Sequence, residues 1–256
     1  MGEKILYIEA PDGISGDMTL GALIDLGVGV RVIKSELDKI IPGEFSLDAR
    51  PFERNGIHGI NLDVIVTDPA TASEHSTHDH RHYSDIKEMI ANSGLTVRAK
   101  EYALAIFGVI AEAEAAVHNT EKEKVAFHEV GATDSIIDIV GTAIAIDILD
   151  VTGFYCSAPR DGSGTIACRH GVIPVPVPAV MKMAESAGVP IIIEGEVPTE
   201  MITPTGFGII KGLGAEFNPH LGILPEKTGY GFGKRDTGRL GAVRLTLGEK
   251  YEEENR

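Results

Sequence analysis

The densest run of reactive side chains in the sequence is FHEVGATDSIIDIVG, residues 127–141. It sets His128 and Glu129 just before a turn at Gly131, and Asp134 and Asp138 at the mouth of an apolar run. Residues four apart lie on one face of a helix, so the two aspartates of a helix beginning here would point the same way. Imidazole and carboxylate oxygens at one helix entrance make a hard-to-borderline ligand set, or an acid-base pair. A plainer reading stands beside this one. Asp134 is also a good N-cap for a helix over 136–149, and Asp138 in its first turn favours the helix dipole.

Four other stretches carry comparable chemistry. Residues 68–82, DPATASEHSTHDHRH, hold His75, His78, His80 and His82 with Glu74 and Asp79 and show no apolar periodicity. That pattern predicts an exposed loop, either merely solvated or a collector of borderline divalent ions such as nickel. The segment GISGDMTLGALIDLG, residues 13–27, follows a predicted strand over 4–10. Its Ser15 or Asp17 can cap a helix, and its glycines admit close approach of a ligand to the helix N-terminus, although a capped turn explains them equally. In DGSGTIACRHGVIPVPVP, residues 161–178, Arg169 and His170 sit in a glycine-bounded loop that suits an anion or an ordinary turn. Residues 202–213, ITPTGFGIIKGL, predict a helix capped by Thr203 or Thr205 with Pro204 in its first turn, whose free amides can receive an oxyanion.

The elements around these residues alternate. Helices are expected over 30–41, 84–91, 96–118, 136–149 and 179–187, and strands over 4–10, 45–52, 57–67 and 242–247, with Asn55-Gly56 as a two-residue hairpin turn. The fold class is therefore α/β, mixed α+β, with an antiparallel hairpin near residues 45–67 and a His-rich loop. One α/β domain over 1–248, possible in two lobes, and a charged tail over 249–256 complete the expected organisation. Asp147 and Asp150 at the end of the apolar helix oppose its dipole and have no explanation in the sequence.

A chain of 256 residues with 43% hydrophobic and 24% charged residues buries a sizeable core. Its net charge of −15 speaks against nucleic acid or an anionic membrane as partner and favours cations. No opening apolar segment resembles a signal peptide and no run is long enough to span a bilayer, so a cytoplasmic protein is expected. Cys156 and Cys168 form no CxxC pair, and read as reduced, buried small hydrophobes or as soft metal ligands.

Taken in order, DGISGDMTLGALIDLG, the His loop followed by HYSDI, FHEVGATDSIIDIVG, GTIACRHGVIPVPVP and EVPTEMITPTGFG resemble the LarC nickel-insertion family over essentially the whole chain. The resemblance implies a nickel chelatase of the lyase class. It loads nickel into pyridinium-3,5-bisthiocarboxylic acid mononucleotide, two thiocarboxylate sulfurs and a ring carbon becoming ligands, and so makes the nickel-pincer cofactor of lactate racemase. CTP with Mn or Mg drives the reaction. The family also has a C-terminal region, tied to nucleotide handling and oligomerisation, expected to begin near where this sequence stops, so CTP binding and full activity are expected to need it. Lactate racemase and a second copy of the chain are the other partners implied. By resemblance His75, His78, His80 and His82 collect nickel. His128, Glu129, Asp134 and Asp138 form the central polar site as ligands or base, and Asp12 and Asp17 complete the metal end. Arg169, His170, Thr205 and Gly206 hold the phosphate and carboxylates. Two other functions fit the same residues: a nickel chaperone or store without catalysis, and a metal-dependent hydrolase.

Overall fold

The computed structural model describes residues 3–43, 45–66, 81–127 and 133–251. The chain opens with β1 (Lys4–Glu9), α1 (Gly16–Asp25) and α2 (Val30–Leu37), then the hairpin β2 (Phe45–Arg54) and β3 (Ile57–Val66). The short β4 (Arg81–His82) leads into α3 (Tyr83–Asn92) and the long α4 (Val97–His118). A 3-10 turn at Lys122–Lys124 precedes β5 (Ala126–Phe127) and the central helix α5 (Thr133–Leu149). After it come β6 (Gly153–Cys156), β7 (Arg160–Asp161), the small hairpin β8 (Thr165–Cys168) and β9 (Gly171–Pro174), and α6 (Pro178–Ala184). The last elements are β10 (Ile192–Ile193), α7 (Pro204–Gly212), β11 (Glu216–Phe217), β12 (Gly222–Phe232) and β13 (Ala242–Tyr251).

Seven strands form one mixed sheet in the order β11-β6-β1-β13-β12-β3-β2. β1 pairs parallel to β6 and antiparallel to β13, so the first and last strands of the described chain lie side by side at its centre. Asn55 and Gly56, at φ 55 and 77°, make the expected tight turn between β2 and β3. The mixed α/β class read from the sequence is the class observed.

Helix α5 is apolar on nearly every side, and a helix of that kind must be covered all round. Its residues Ile136, Ile137, Ile139, Val140, Ala143 and Ile146 are buried beneath α1, α2 and α4. α1 in turn lies across β12, β3 and β13. That crossing is close enough to require glycine, since a Cβ on Gly231 would stand 1.8 Å from the Met18 carbonyl oxygen. The far end of α1 is tied to the same strand, where the Tyr230 N–H donates to Asp25 Oδ2 at 2.8 Å.

The structure departs from the sequence reading in three local places. α2 stops at Leu37, four residues short of Ile41, and the chain turns at Asp38 instead. β13 runs to Tyr251 alongside β12, so residues 249–251 belong to the sheet. α5 begins at Thr133, which places Asp134 inside its first turn and not at its cap. Asp147 and Asp150 gain the account they lacked. The Thr96 hydroxyl donates to Asp147 Oδ2 at 2.7 Å and Arg98 pairs with Asp150, so both aspartates anchor the start of α4.

Replacing Gly231 with alanine is expected to destabilise the protein by about 3 kcal/mol through overpacking at the α1 crossing. Gly195→Ala, where an added Cβ meets nothing within 4 Å, should stay within ~0.5 kcal/mol of the parent. Denaturant unfolding of both variants checks the difference.

Candidate functional site

The site is built where two helix entrances meet. Ile14 just before α1 and Ile202 just before α7 bridge in parallel: the Ile14 N–H donates to the Met201 carbonyl and the Thr203 N–H to the Ile14 carbonyl, each at 3.0 Å. Asp161, fully buried, holds one side of this join. Its Oδ1 accepts the N–H groups of Gly162, Met201 and Ile202 at 2.8, 2.7 and 3.1 Å. Burial raises its pKa while those three donors pull the other way. Gly206, in the first turn of α7, rests on the same join, since a Cβ there would stand 2.1 Å from the Ile14 carbonyl oxygen.

A cavity of about 210 Å³ opens beside the join. Asp12, Asp17 and Ser15 line it from the α1 side, Glu200 and Thr203 from the α7 side, and Lys234, Arg235 and Thr237 from the loop between β12 and β13. The charges in its wall are paired. Lys234 Nζ is 3.0 Å from Asp63 Oδ1 and 3.7 Å from Asp17 Oδ2, and Arg235 Nη1 is 3.3 Å from Glu200 Oε2. Burial lowers the Lys234 pKa, but its bond to Asp63 and the charges of Asp17, Asp63 and Asp138 outweigh that and leave it raised. The Thr237 hydroxyl is buried with no hydrogen-bond partner among the described residues.

Behind Asp17 lies Asp138. It projects from α5 onto the start of α1 where residue 16 has no side chain: a Cβ on Gly16 would come within 2.6 Å of the Asp138 Cβ. Its Oδ1 is out of solvent and has no hydrogen-bond partner among the described residues. Burial first, then the neighbouring charges of Asp17 and Asp134, push its pKa well above the ordinary carboxylate value, with Lys234 opposing. A carboxyl of this kind holds a proton where an exposed one would not, and can exchange it with a ligand.

Several site expectations change in detail. Asp134 is exposed while Asp138 turns inward, so the pair does not present two equivalent carboxylates. Asp12 is committed, with Oδ1 to Arg239 and Oδ2 to the Gly241 N–H, and acts as a clamp on the 233–241 loop. The Gly206 N–H donates to the Thr203 hydroxyl at 3.2 Å, and Thr205 shares a hydrogen bond with the same hydroxyl, so this amide is already capped. Arg169 and His170 sit exposed on the turn of the β8–β9 hairpin. His170 lines a second cavity of about 120 Å³ with His118 and Cys168, so imidazoles and carboxylates divide between two cavities that share Glu200. His82 is exposed just before α3, its N–H donating to Asp85. His75, His78, His80, His128 and Glu129 lie outside the described residues. Among the described residues no three His, Cys, Asp or Glu side chains surround one point.

Lys234, Asp63, Glu200, Arg235 and His118 were not singled out from the sequence. Three cations among the residues of GKRDTGRLG, 233–241, and their absence from any helical or strand pattern were no sign of where they would go. Cys156, by contrast, is the small hydrophobe expected. It is fully buried, and burial pushes its thiol up to about 12.

The sheet, the covered central helix and a cavity walled by paired opposite charges, with the raised-pKa carboxyl of Asp138 behind Asp17, define an α/β protein with a charged cavity at two helix entrances. The chain belongs to the nickel insertion protein family, whose profile matches residues 6–256. It is 46% identical over 254 residues to the pyridinium-3,5-bisthiocarboxylic acid mononucleotide nickel insertion protein of Acetivibrio thermocellus, covering 98% of this chain and 62% of that protein. It is 44% identical to the protein of the same description from Lactiplantibacillus plantarum, over 96% of this chain and 62% of the relative. A putative nickel insertion protein of Gloeothece citriformis is 42% identical over 98% of the chain and 62% of its own length. The chain thus spans about three-fifths of these relatives. No solved structure matches it.

A folded-state pKa raised above the unfolded value gives stability that is complete below the unfolded pKa and is lost as pH rises through the folded one. Asp138→Asn removes that loss. The variant should be more stable than the parent at pH 8, on the order of 1–3 kcal/mol. The two should converge as pH falls to about 4, where an unfolded aspartate is half protonated. Thermal unfolding across pH checks both the sign and the convergence.

Proposed function

We propose that this chain is the nickel- and substrate-handling region of an enzyme that inserts nickel into pyridinium-3,5-bisthiocarboxylic acid mononucleotide. One observation carries the reading: the cavity between α1, α7 and the 233–241 loop combines Lys234 and Arg235 with Asp17 and Glu200, and Asp63 pairs with Lys234 beside it. A pyridinium mononucleotide carries a cationic ring and anionic phosphate and thiocarboxylate groups, and a wall of both signs matches it. Lys234, Arg235 and the unpartnered Thr237 hydroxyl would take the anionic oxygens. The carboxylates of Asp17 and Glu200 would face the ring.

Nickel is the cargo in this scheme. When it bonds to a ring carbon, that carbon must release its proton, and a base within reach lowers the barrier. Asp138, poised behind Asp17 with a raised pKa, is the residue to which we assign that proton. Asp17 and Lys234 then act on it through charge, and Gly16 leaves it the room to lie there. His128, Glu129 and the histidines of the 68–82 stretch are further candidates for delivering the ion. CTP and its Mn or Mg would be held by the remainder of the longer relatives, and apo lactate racemase would be the recipient of the product. A cytoplasmic, reducing compartment suits the free thiols and the thiocarboxylate substrate.

The test uses the purified chain, nickel and the bis-thiocarboxylated mononucleotide, with and without CTP and the separately produced remainder of the enzyme. Product absorbance and activation of apo lactate racemase are followed. We expect metallation in the complete mixture, at least a tenfold loss with Lys234→Ala, and a rate that rises with pH through a limb above the ordinary aspartate range. That limb should vanish in Asp138→Asn. Nickel bound with no metallation in any mixture would leave a store or chaperone. Ester hydrolysis without metallation would make the protein a hydrolase.

A further inference from the structure

The loop between β12 and β13 carries three cations, and only two of them face the charged cavity. Lys234 and Arg235 line it, whereas Arg239, on the returning limb of the loop, stands outside its wall. We propose that Arg239 is a positioning residue, which holds the 233–241 loop in the placement that presents Lys234 and Arg235 to an anionic ligand of the cavity.

The Arg239 guanidinium is engaged in three directions at once. Its Nε donates to Asp12 Oδ1, its Nη2 donates to the Pro11 carbonyl at 3.3 Å, and its Nη1 lies 3.8 Å from Glu194 Oε2. The two carboxylates have different anchors. Asp12 is nearly buried and stands two residues before Ile14, so it belongs to the segment that enters the join. Glu194 pairs with Arg160, and its N–H donates at 2.7 Å to the carbonyl of Asp161, whose carboxylate holds the other side of the join. Arg239 therefore ties the loop to both halves of the frame that sets the entrances of α1 and α7. A planar fork of donors fixes orientation as a single point charge does not.

The rest of the loop is held mainly at its neck. The Gly233 N–H donates to the Gly241 carbonyl at 2.9 Å, and Arg54 Nη1 donates to the Leu240 carbonyl at 3.1 Å. The two limbs are in contact there, since a Cβ on Gly241 would lie 3.8 Å from the Arg235 carbonyl oxygen. A shift of the returning limb is thus felt at Arg235. The Lys234 and Arg235 side chains are 53% and 56% exposed, so their aim depends on where the backbone beneath them lies. Arg239 has its own charge answered by Asp12 and Glu194 and is not placed to receive the ligand itself. The assignment rests on the reading of this cavity as the anion-binding site of the insertion reaction.

The experiment measures binding of the bis-thiocarboxylated mononucleotide and of inorganic pyrophosphate to the full chain by calorimetry, with amide hydrogen exchange followed by mass spectrometry. Arg239→Gln should bind both anions about tenfold more weakly. Its amides over 233–241 should exchange roughly tenfold faster, with exchange elsewhere unchanged. Arg239→Lys, which restores a charge beside Asp12 but not the fork, should recover part of both effects. In the complete metallation mixture the Arg239→Gln change should fall on KM, with kcat within about threefold of the parent. If Arg239 acts through its neighbours, adding Arg239→Gln to the Lys234→Ala, Arg235→Ala pair should weaken binding by less than about twofold further. Lys182→Gln, which removes an exposed pair with Glu185 on α6, should match the parent in both measurements. Weaker binding with unchanged exchange would make Arg239 a direct ligand, and faster exchange with unchanged affinity would make it a purely structural residue. Either result, or full additivity in the triple variant, overturns the proposal. Parent protein that binds pyrophosphate but not the mononucleotide sinks the insertion reading, and the positioning assignment is then decided on pyrophosphate. A parent that binds neither anion removes both.

Discussion

Two short backbone segments far apart in sequence, 11–15 and 201–203, are zipped together by reciprocal hydrogen bonds between Ile14 and the Met201 and Thr203 backbone, and nearly everything at the site is referred to that join. It brings the N-terminal ends of α1 and α7 side by side. It is held by one buried carboxylate, Asp161, which spends a single oxygen on three backbone donors. Where the join must pack tightly against a neighbouring element, side chains are missing: Gly206 lies on the Ile14 carbonyl and Gly16 on Asp138. A bulkier residue at either position would separate the helix entrances from the surfaces they position.

The same join distributes charge. The protein carries a net charge of −15, but the loop between β12 and β13 concentrates Lys234, Arg235 and Arg239 against the helix entrances. Each cation meets a carboxylate from a different part of the chain: Asp17 and Asp63 at Lys234, Glu200 at Arg235, Asp12 at Arg239. Half-exposed pairs of this kind add little to stability. Their effect is on the local field, in which the pKa of Asp138 is raised first by burial and then by the charges of Asp17 and Asp134, with Lys234 opposing. Glu200 connects this charged cavity to the apolar one that holds His118, Cys168 and His170, so two unlike environments share one wall.

Much of the architecture could be read directly from the residues, because local pattern and observed element agree where both faces of an element are decided by burial. The apolar run of α5, the Asn55-Gly56 turn and the Thr203-Pro204 start of α7 are such cases. The ends of α2 and β13 were less legible, since Asp38 and the polar residues after Leu247 carry no strong stop or start signal. Of the candidate site, Asp138 was singled out by type and spacing, while Asp17 entered as a helix cap and gained a site role only through the family resemblance. The inequality of Asp138 and Asp134 was not legible, as the two have nearly the same helical phase and only the position of α1 separates a half-buried carboxyl, with one oxygen out of solvent, from an exposed one.

The sequence by itself determined the α/β class, the helices that needed covering and the residue types available for metal and proton chemistry, because those follow from hydrophobic period and side-chain pKa. Tertiary structure alone decided which of them meet. Lys234 reaches Asp17 and Asp63, and His118 reaches His170, across separations in the chain over which no periodicity carries information. The physical reason is that a hydrogen-bonded join and a few glycine contacts, made only when the whole core closes, set the relative position of elements whose local sequences are independent of one another.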